Sequence, residues 1–348
     1  MRVPGAIGAA GAIEAAAGAP LLVVFGGDRG LLEGKGRRGY SGNTDLLRLL
    51  GEDVPFQELH LGKNLRQLPW TPDLSRFSCV LNLVTDPDQN PHTLDNLRKL
   101  LRGYRGKVLN HPEVVLRSGR DHISALLSGT PGLTVPRAMR LRAAKPEAAT
   151  RIVERSGMRF PLIVRIAGTH TGKVIAVVAS LEELASAYEA GREHIVTEFV
   201  DFKSRDGLYR KCRVYFFGQR TIFRHMLISD DWNVHVSVRE RFMGARPKLL
   251  EEEARLFARP EGAFPAAFHA VFQQVRRRMA LDYFGMDFGI GADGLPVFFE
   301  ANATMSFFPV DHATYPYLRR CIAPARQAFR AMVENAIQGT SAPYGGHA

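Results

Sequence analysis

Apolar runs alternate with amphipathic stretches from residue 20 onward. Leu21-Leu22-Val23-Val24-Phe25 is an uninterrupted apolar run ending in Gly26-Gly27-Asp28-Arg29-Gly30, which predicts a buried strand feeding a glycine-rich loop. Thr44 to Leu50 predicts a short helix, and Phe56–Leu61 and Cys79–Val84 predict strands. The prolines and Asx residues of 86–91 mark a loop. Leucines at 94, 97, 100 and 101 have helical spacing, and Lys107–Asn110 closes the unit as a strand. This alternation predicts a small parallel α/β domain over residues 20–112. The Ala/Gly-rich residues 1–19 read as a flexible leader, because Glu14 interrupts what a secretory signal would need as an apolar stretch.

Beyond residue 112 the pattern changes. A helix opens near Arg120-Asp121-His122, with Ile123, Leu126 and Leu127 on its apolar face. Met139 and Leu141 mark a strand, and Pro146 to Glu154 a helix with proline tolerated near its start. Phe160–Ile166 and Val174–Val178 are β-prone runs flanking a glycine-bounded loop. Ser180 with Glu183 forms an N-cap pattern that opens a helix to about Ala190, and His194–Val200 is a strand. Lys211–Gly218 and Arg220–Leu227 predict paired strands, and Ala266–Met279 an amphipathic helix. Met286–Ile290 and Val297–Asn302, joined by a Gly/Asp-rich link, predict a hairpin. Ala313–Ile337 predicts a long helix, broken or bent near Pro324. Two further subdomains, 113–197 and 198–338, and a flexible tail at 339–348 complete the expected organisation. The expected fold class is α/β.

Composition narrows the classes. A hydrophobic fraction of 45% and a mean hydropathy of −0.12 describe a globular chain with no membrane-length apolar run. Cys79, Cys212 and Cys321 are odd in number and widely spaced, which argues against a disulfide framework or zinc site and suits a reducing cytoplasm. The formal charge of +11 permits acidic or phosphorylated partners. No nucleic-acid module signature accompanies it, so nucleic acid ranks last among them.

The densest chemistry is in the hairpin. Asp287 is expected across from Glu300, with Asn302 on the same face. Two carboxylates and an amide oxygen would suit a hard divalent cation, Mg²⁺ or Mn²⁺, carrying nucleotide phosphates. The alternative is a pair of carboxylates wetted by solvent or held by arginines. The loop Gly168-Thr169-His170-Thr171-Gly172-Lys173 is one residue short of a Walker A motif, and a strand follows it where that motif needs a helix. It can still lay backbone N–H groups and Lys173 over phosphates. Arginines inside strands are costly unless they face an anion, which makes Arg213 and Arg224 candidate anion contacts.

The order of these features resembles the ATP-grasp superfamily, which includes glutathione synthetase and D-alanine–D-alanine ligase. The resemblance covers about residues 110–310. It implies an ATP-grasp fold in which an N-terminal α/β domain precedes two α+β subdomains that hold ATP between them. It assigns Asp287, Glu300 and Asn302 to Mg²⁺, Gly168–Gly172 to the triphosphate loop, and Glu198, Phe199 and Val200 to the adenine hinge. Arg213 and Arg165, with Lys173, would stabilise charge during transfer, and Lys211 and Lys173 would lie beside the nucleotide. Two departures stand out: Arg165 replaces a lysine before the loop, and His122 replaces a lysine on the earlier helix, leaving Lys173, Arg120 or a domain motion to compensate. The implied activity is an ATP-dependent carboxylate–amine or carboxylate–thiol ligase working through an acyl phosphate. Its partners would be a small-molecule or peptide carboxylate and an acceptor, possibly acidic, and a homodimer is allowed. Alternatives are a kinase on the same scaffold or a catalytically weak ATP-binding module. Loops 28–40, 86–92 and 230–235 are the expected substrate readers.

Overall fold

The computed structural model describes residues 20–29, 32–34, 37–39, 44–65, 72–168, 174–258 and 264–339. The expected leader, the expected tail beyond Gly339, and residues 30, 31, 35 and 36 of the expected reader loop 28–40, with 40 itself, lie outside them.

The first domain runs β1 (Leu21–Gly26), α1 (Leu47–Leu50), β2 (Phe56–Leu61), β3 (Cys79–Asn82), α2 (Pro91–Leu100) and β4 (Lys107–Leu109). Its four strands form one parallel sheet in the order β2-β1-β3-β4, as the alternation predicts. Asp28, after β1, accepts from Thr93 N and Thr93 Oγ1, both at 2.7 Å, and so fixes the start of α2. The β4 end is sealed to the third domain. Asn110 exchanges hydrogen bonds with Asp282 and Tyr283, and Lys107 pairs with Asp282 at 2.8 Å.

Two short helices follow, α3 (Pro112–Leu116) and α4 (Arg120–Leu127). The second sheet contains β5 (Ala138–Leu141), β6 (Leu162–Ile166), β7 (Ala176–Val178) and β8 (His194–Glu198), in the order β5-β8-β6-β7, with α5 (Pro146–Ser156) and α6 (Leu181–Ala187) packed on it. The third sheet contains β9 (Tyr209–Phe217), β10 (Arg220–Ser229), β11 (Tyr283–Ile290) and β12 (Pro296–Asn302), in the order β10-β9-β11-β12. Its helices are α7 (Pro247–Ala258), α8 (Ala266–Met279) and, at the end of the chain, α9 (Ile322–Ile337).

The break expected near Pro324 falls earlier. Pro316–Cys321 is a 3₁₀ turn, and Pro324 sits in the first turn of α9, where a missing N–H costs nothing.

Apolar packing divides the molecule differently from the sheets. One large core joins the first domain, Ile123 and Leu127 of α4, and the third sheet with α8 and α9. The second sheet has its own small core around Leu141, Val153, Leu162, Val164 and Leu184. Residues 138–198 therefore form a lid with a separate core, seated on a continuous body.

Candidate active site

The floor of the site is a row of charges across three strands. Arg213 on β9 is the register neighbour of Asp287 on β11, and Asp287 is the neighbour of Glu300 on β12. Asp287 is 1% exposed. It accepts from Arg213 Nε at 2.6 Å and Nη2 at 2.9 Å, and pairs with Lys211 Nζ at 3.0 Å. Burial alone would raise its pKa, but these cations outweigh burial and hold it far below the usual carboxylate range. Glu300 pairs with Arg120 Nη2 at 2.7 Å and accepts from Asn302 Nδ2 at 2.8 Å.

A register shift between Asp287 and Phe288 makes Phe299 the extra residue of a bulge. Strict alternation along β12 is therefore lost: Phe298 belongs to the main core, while Phe299 packs edge-on against Phe202, centroids 4.7 Å apart. Only glycine fits at 289, since a Cβ there would lie 2.5 Å from the Phe202 ring.

The roof is the lid. Arg165 on β6 faces a cavity of about 100 Å³ lined also by Arg120, Lys211, Glu198, Val200, Asp287 and Glu300. A narrower extension of about 30 Å³ continues past Arg120 and Arg165 to Gly168, Asp88, Asn302 and Thr304. Loss of hydration, and then the charge of Arg120, push the Arg165 pKa down to about 10. The Arg165 side chain makes no ion pair or hydrogen bond among the described residues.

At the other end of the cavity, Glu198 N donates to Arg137 O and Phe199 N to Pro161 O, both at 2.9 Å. The Glu198 carboxylate accepts from Arg159 N at 2.9 Å. Trp232 stands edge-on to Phe199, with centroids 5.3 Å apart, and residues 232–235 line the same cavity. The loop read from sequence as a substrate reader thus stands beside the hinge.

The structure brings Arg165, Gly168, Glu198, Phe199, Val200, Lys211, Asp287, Glu300 and Asn302 to the two joined cavities, with Arg213 directly behind Asp287. Thr169, His170, Thr171, Gly172 and Lys173 lie outside the described residues. Arg224 is not brought there. It is buried on β10, and its Nε and Nη2 donate to the carbonyls of Phe307 and Pro309 at 2.9 and 2.8 Å. Its costly charge is answered by backbone oxygens rather than by an anion. His122 is exposed on α4 and lines neither cavity, whereas Arg120, two positions earlier and so on another side of the helix, lines both.

Asp287 and Glu300 are adjacent hard oxygen donors and fit a divalent cation by type. Asn302 fits less directly. Its Oδ1 already accepts from Thr304 N and Met305 N, and its amide nitrogen faces Glu300, so it orients that carboxylate. Among the described residues there is no cluster of three or more His, Cys, Asp or Glu able to hold a metal.

Two features escape a reading of the sequence. Arg140 on β5 binds Asp88 at 2.7 Å, Glu193 at 2.6 Å and Asp121 at 3.1 Å, tying the lid to the first domain and to α4. Gln89 Nε2 donates to Gly168 O at 2.7 Å, joining the loop 86–90 to the base of the glycine loop. The only sequence signal was an arginine inside a strand, since its partners are far away in the chain.

No protein-family model and no curated protein matches the sequence. Solved structures do match. The chain is similar to D-alanyl-alanine synthetase A from Vibrio cholerae, with a TM-score of 0.56 at 12% identity, over 92% of this chain and 97% of that one. It is also similar to the D-Ala:D-Ser ligase VanG from Enterococcus faecalis, with a TM-score of 0.50 at 14% identity, over 91% and 98% respectively. A parallel α/β domain followed by an antiparallel lid and an antiparallel floor, similar in fold to these two structures, gives the chain the ATP-grasp fold.

Proposed function

We propose that this protein is an ATP-dependent ligase that joins a carboxylate to an amine or thiol through an acyl phosphate. The observation that carries the reading is Arg165, a cation on the cleft roof without a carboxylate partner among the described residues, facing Arg120 and Lys211. A polyanion between lid and floor relieves both the lost hydration and the like-charge repulsion. Of two solved structures of the same fold, one is a ligase and the other a synthetase by name, which supports the reaction class.

In this reading the adenine lies along Glu198–Val200, where the Val200 N–H has no partner among the described residues. The phosphates lie between Arg165 and Lys211, toward Gly168 and the loop after it. Glu300, with Asp287 behind it, would hold Mg²⁺, which would neutralise phosphate charge; Arg213, Lys211 and Arg120 already share these carboxylates. A substrate carboxylate oxygen attacks the γ-phosphorus, the bond to ADP breaks, and an acyl phosphate forms. The amine or thiol then attacks the acyl carbon, phosphate leaves with the bonding pair, and the nucleophile gives up its proton. Arg165, Arg120 and Arg213 act by fixed charge; phosphoryl transfer is mostly positioning and electrostatics.

The test is ADP and phosphate release across a panel of carboxylates and amines. Release that requires both substrates is the expected result, and ATP binding with no turnover in any pairing would refute the ligase reading.

A further inference from the structure

Away from the cleft, a trough of about 930 Å³ lies between α9, the loop 308–312 and Arg48 of α1. Its floor is apolar, with Phe308, Val310 and Ile322, and its walls are basic, with Arg48, Arg319, Arg326 and Arg330. Arg330 is already engaged, by Asp53 at 2.7 Å and Glu334 at 3.5 Å. Arg319 and Arg326 are exposed and make no ion pair among the described residues. Arg48 lies over the Phe308 ring, 4.0 Å from its centroid, which covers the aromatic face a nucleobase would need for stacking.

We propose that this trough docks an acidic polypeptide segment in which pairs of Asp or Glu are separated by single apolar residues. Carboxylates would be held by Arg319 and Arg326 in forked hydrogen bonds, and apolar side chains would cover Ile322 and Ala323. Apolar floor and unpaired guanidinium walls together fit such a peptide better than a uniformly charged polyanion. The surface goes beyond the proposed reaction, since binding here needs no nucleotide. It is nevertheless linked to the cleft. The strap from Asn302 to Phe308 is fastened at one end by Asn302 Oδ1 and at the other by Asp45, which accepts from Phe308 N at 2.8 Å.

The experiment uses the full chain and a fluorescein-labelled peptide Glu-Glu-Leu-Glu-Glu-Leu-Glu-Glu, followed by fluorescence anisotropy. The double variant Arg319→Glu/Arg326→Glu is compared with Arg151→Glu/Arg155→Glu, which makes the same charge change on exposed positions of α5. The expected result is at least a tenfold loss of affinity for the first and less than a twofold loss for the second, with both variants melting like the parent. Arg319→Ala/Arg326→Ala supplies a milder reading should charge reversal disturb folding, and an intermediate loss is expected for it. Equal losses in both reversal variants would show only the attraction of a basic protein and would overturn the proposal. So would absence of peptide binding, or displacement of the peptide by a short DNA duplex that loses affinity in the trough variant alone.

Discussion

Asp287 and Glu300 face each other across one pair of strands yet do different work. Asp287 is sealed between Arg213 and Lys211, so Asp287→Asn leaves two cations facing each other in the interior. That change is expected to cost about 3–5 kcal/mol of stability in urea unfolding. Glu300 is partly exposed and paired with Arg120, so Glu300→Gln should cost about 1 kcal/mol or less while abolishing ATP turnover. Comparable destabilisation by both variants would contradict this division. A second residue-scale prediction concerns His194, which is fully buried beneath Tyr188 in the lid, with ring centroids 4.5 Å apart. Burial lowers its pKa. The stability it contributes is therefore complete above the unfolded value of about 6.5 and is lost as pH falls below it. The melting temperature of the parent should drop more between pH 7.5 and 5.5 than that of His194→Gln; equal drops would exclude His194 as the source.

At the scale of elements, the lid and the first domain meet at Gly168 and Arg140. Gly168 has φ of +70°, and a Cβ there would lie 3.3 Å from Asp88 Cβ. Gly168→Ala should therefore cost about 1 kcal/mol and should lower kcat about tenfold by holding the glycine loop away from residues 86–90. Unchanged turnover would show that this contact does not matter to closure. Arg140→Met leaves Asp88, Asp121 and Glu193 without their shared cation, and hydrogen exchange should rise in both 86–90 and 138–141. Individual strands and helices were legible because periodicity reports burial. The Asp287–Glu300 pairing was legible because a short hairpin link leaves few registers. What periodicity could not supply was which charges meet. Arg213 and Arg224 look alike in sequence, yet one binds a carboxylate and the other binds backbone carbonyls of a strap more than eighty residues away. The bulge at Phe299 was hidden for the same reason, since it depends on Phe202 and on the partner strand rather than on its own neighbours.

In the molecule as a whole, one core joins the first domain to the floor, and a smaller one belongs to the lid alone. Such a division lets the lid move as a unit while the floor keeps its geometry, and this is where the ligase reading places substrate capture. ATP should protect β6 and β8 from hydrogen exchange and leave β9 and β11 unchanged. The sequence reading expects separate subdomains at 113–197 and 198–338, but it does not show that Ile123 and Leu127 pack in the main core rather than with the lid, since long-range packing decides that. The proposed ligase must use ATP to activate a carboxylate. The most direct test is to incubate the protein with ATP, Mg²⁺ and a carboxylate panel in neutral hydroxylamine, measuring hydroxamate together with ADP. Hydroxamate and ADP are expected in equal amounts for at least one carboxylate, and neither with Glu300→Gln. ADP accompanied by a phosphorylated product that hydroxylamine does not cleave would contradict the ligase reading and identify a kinase instead.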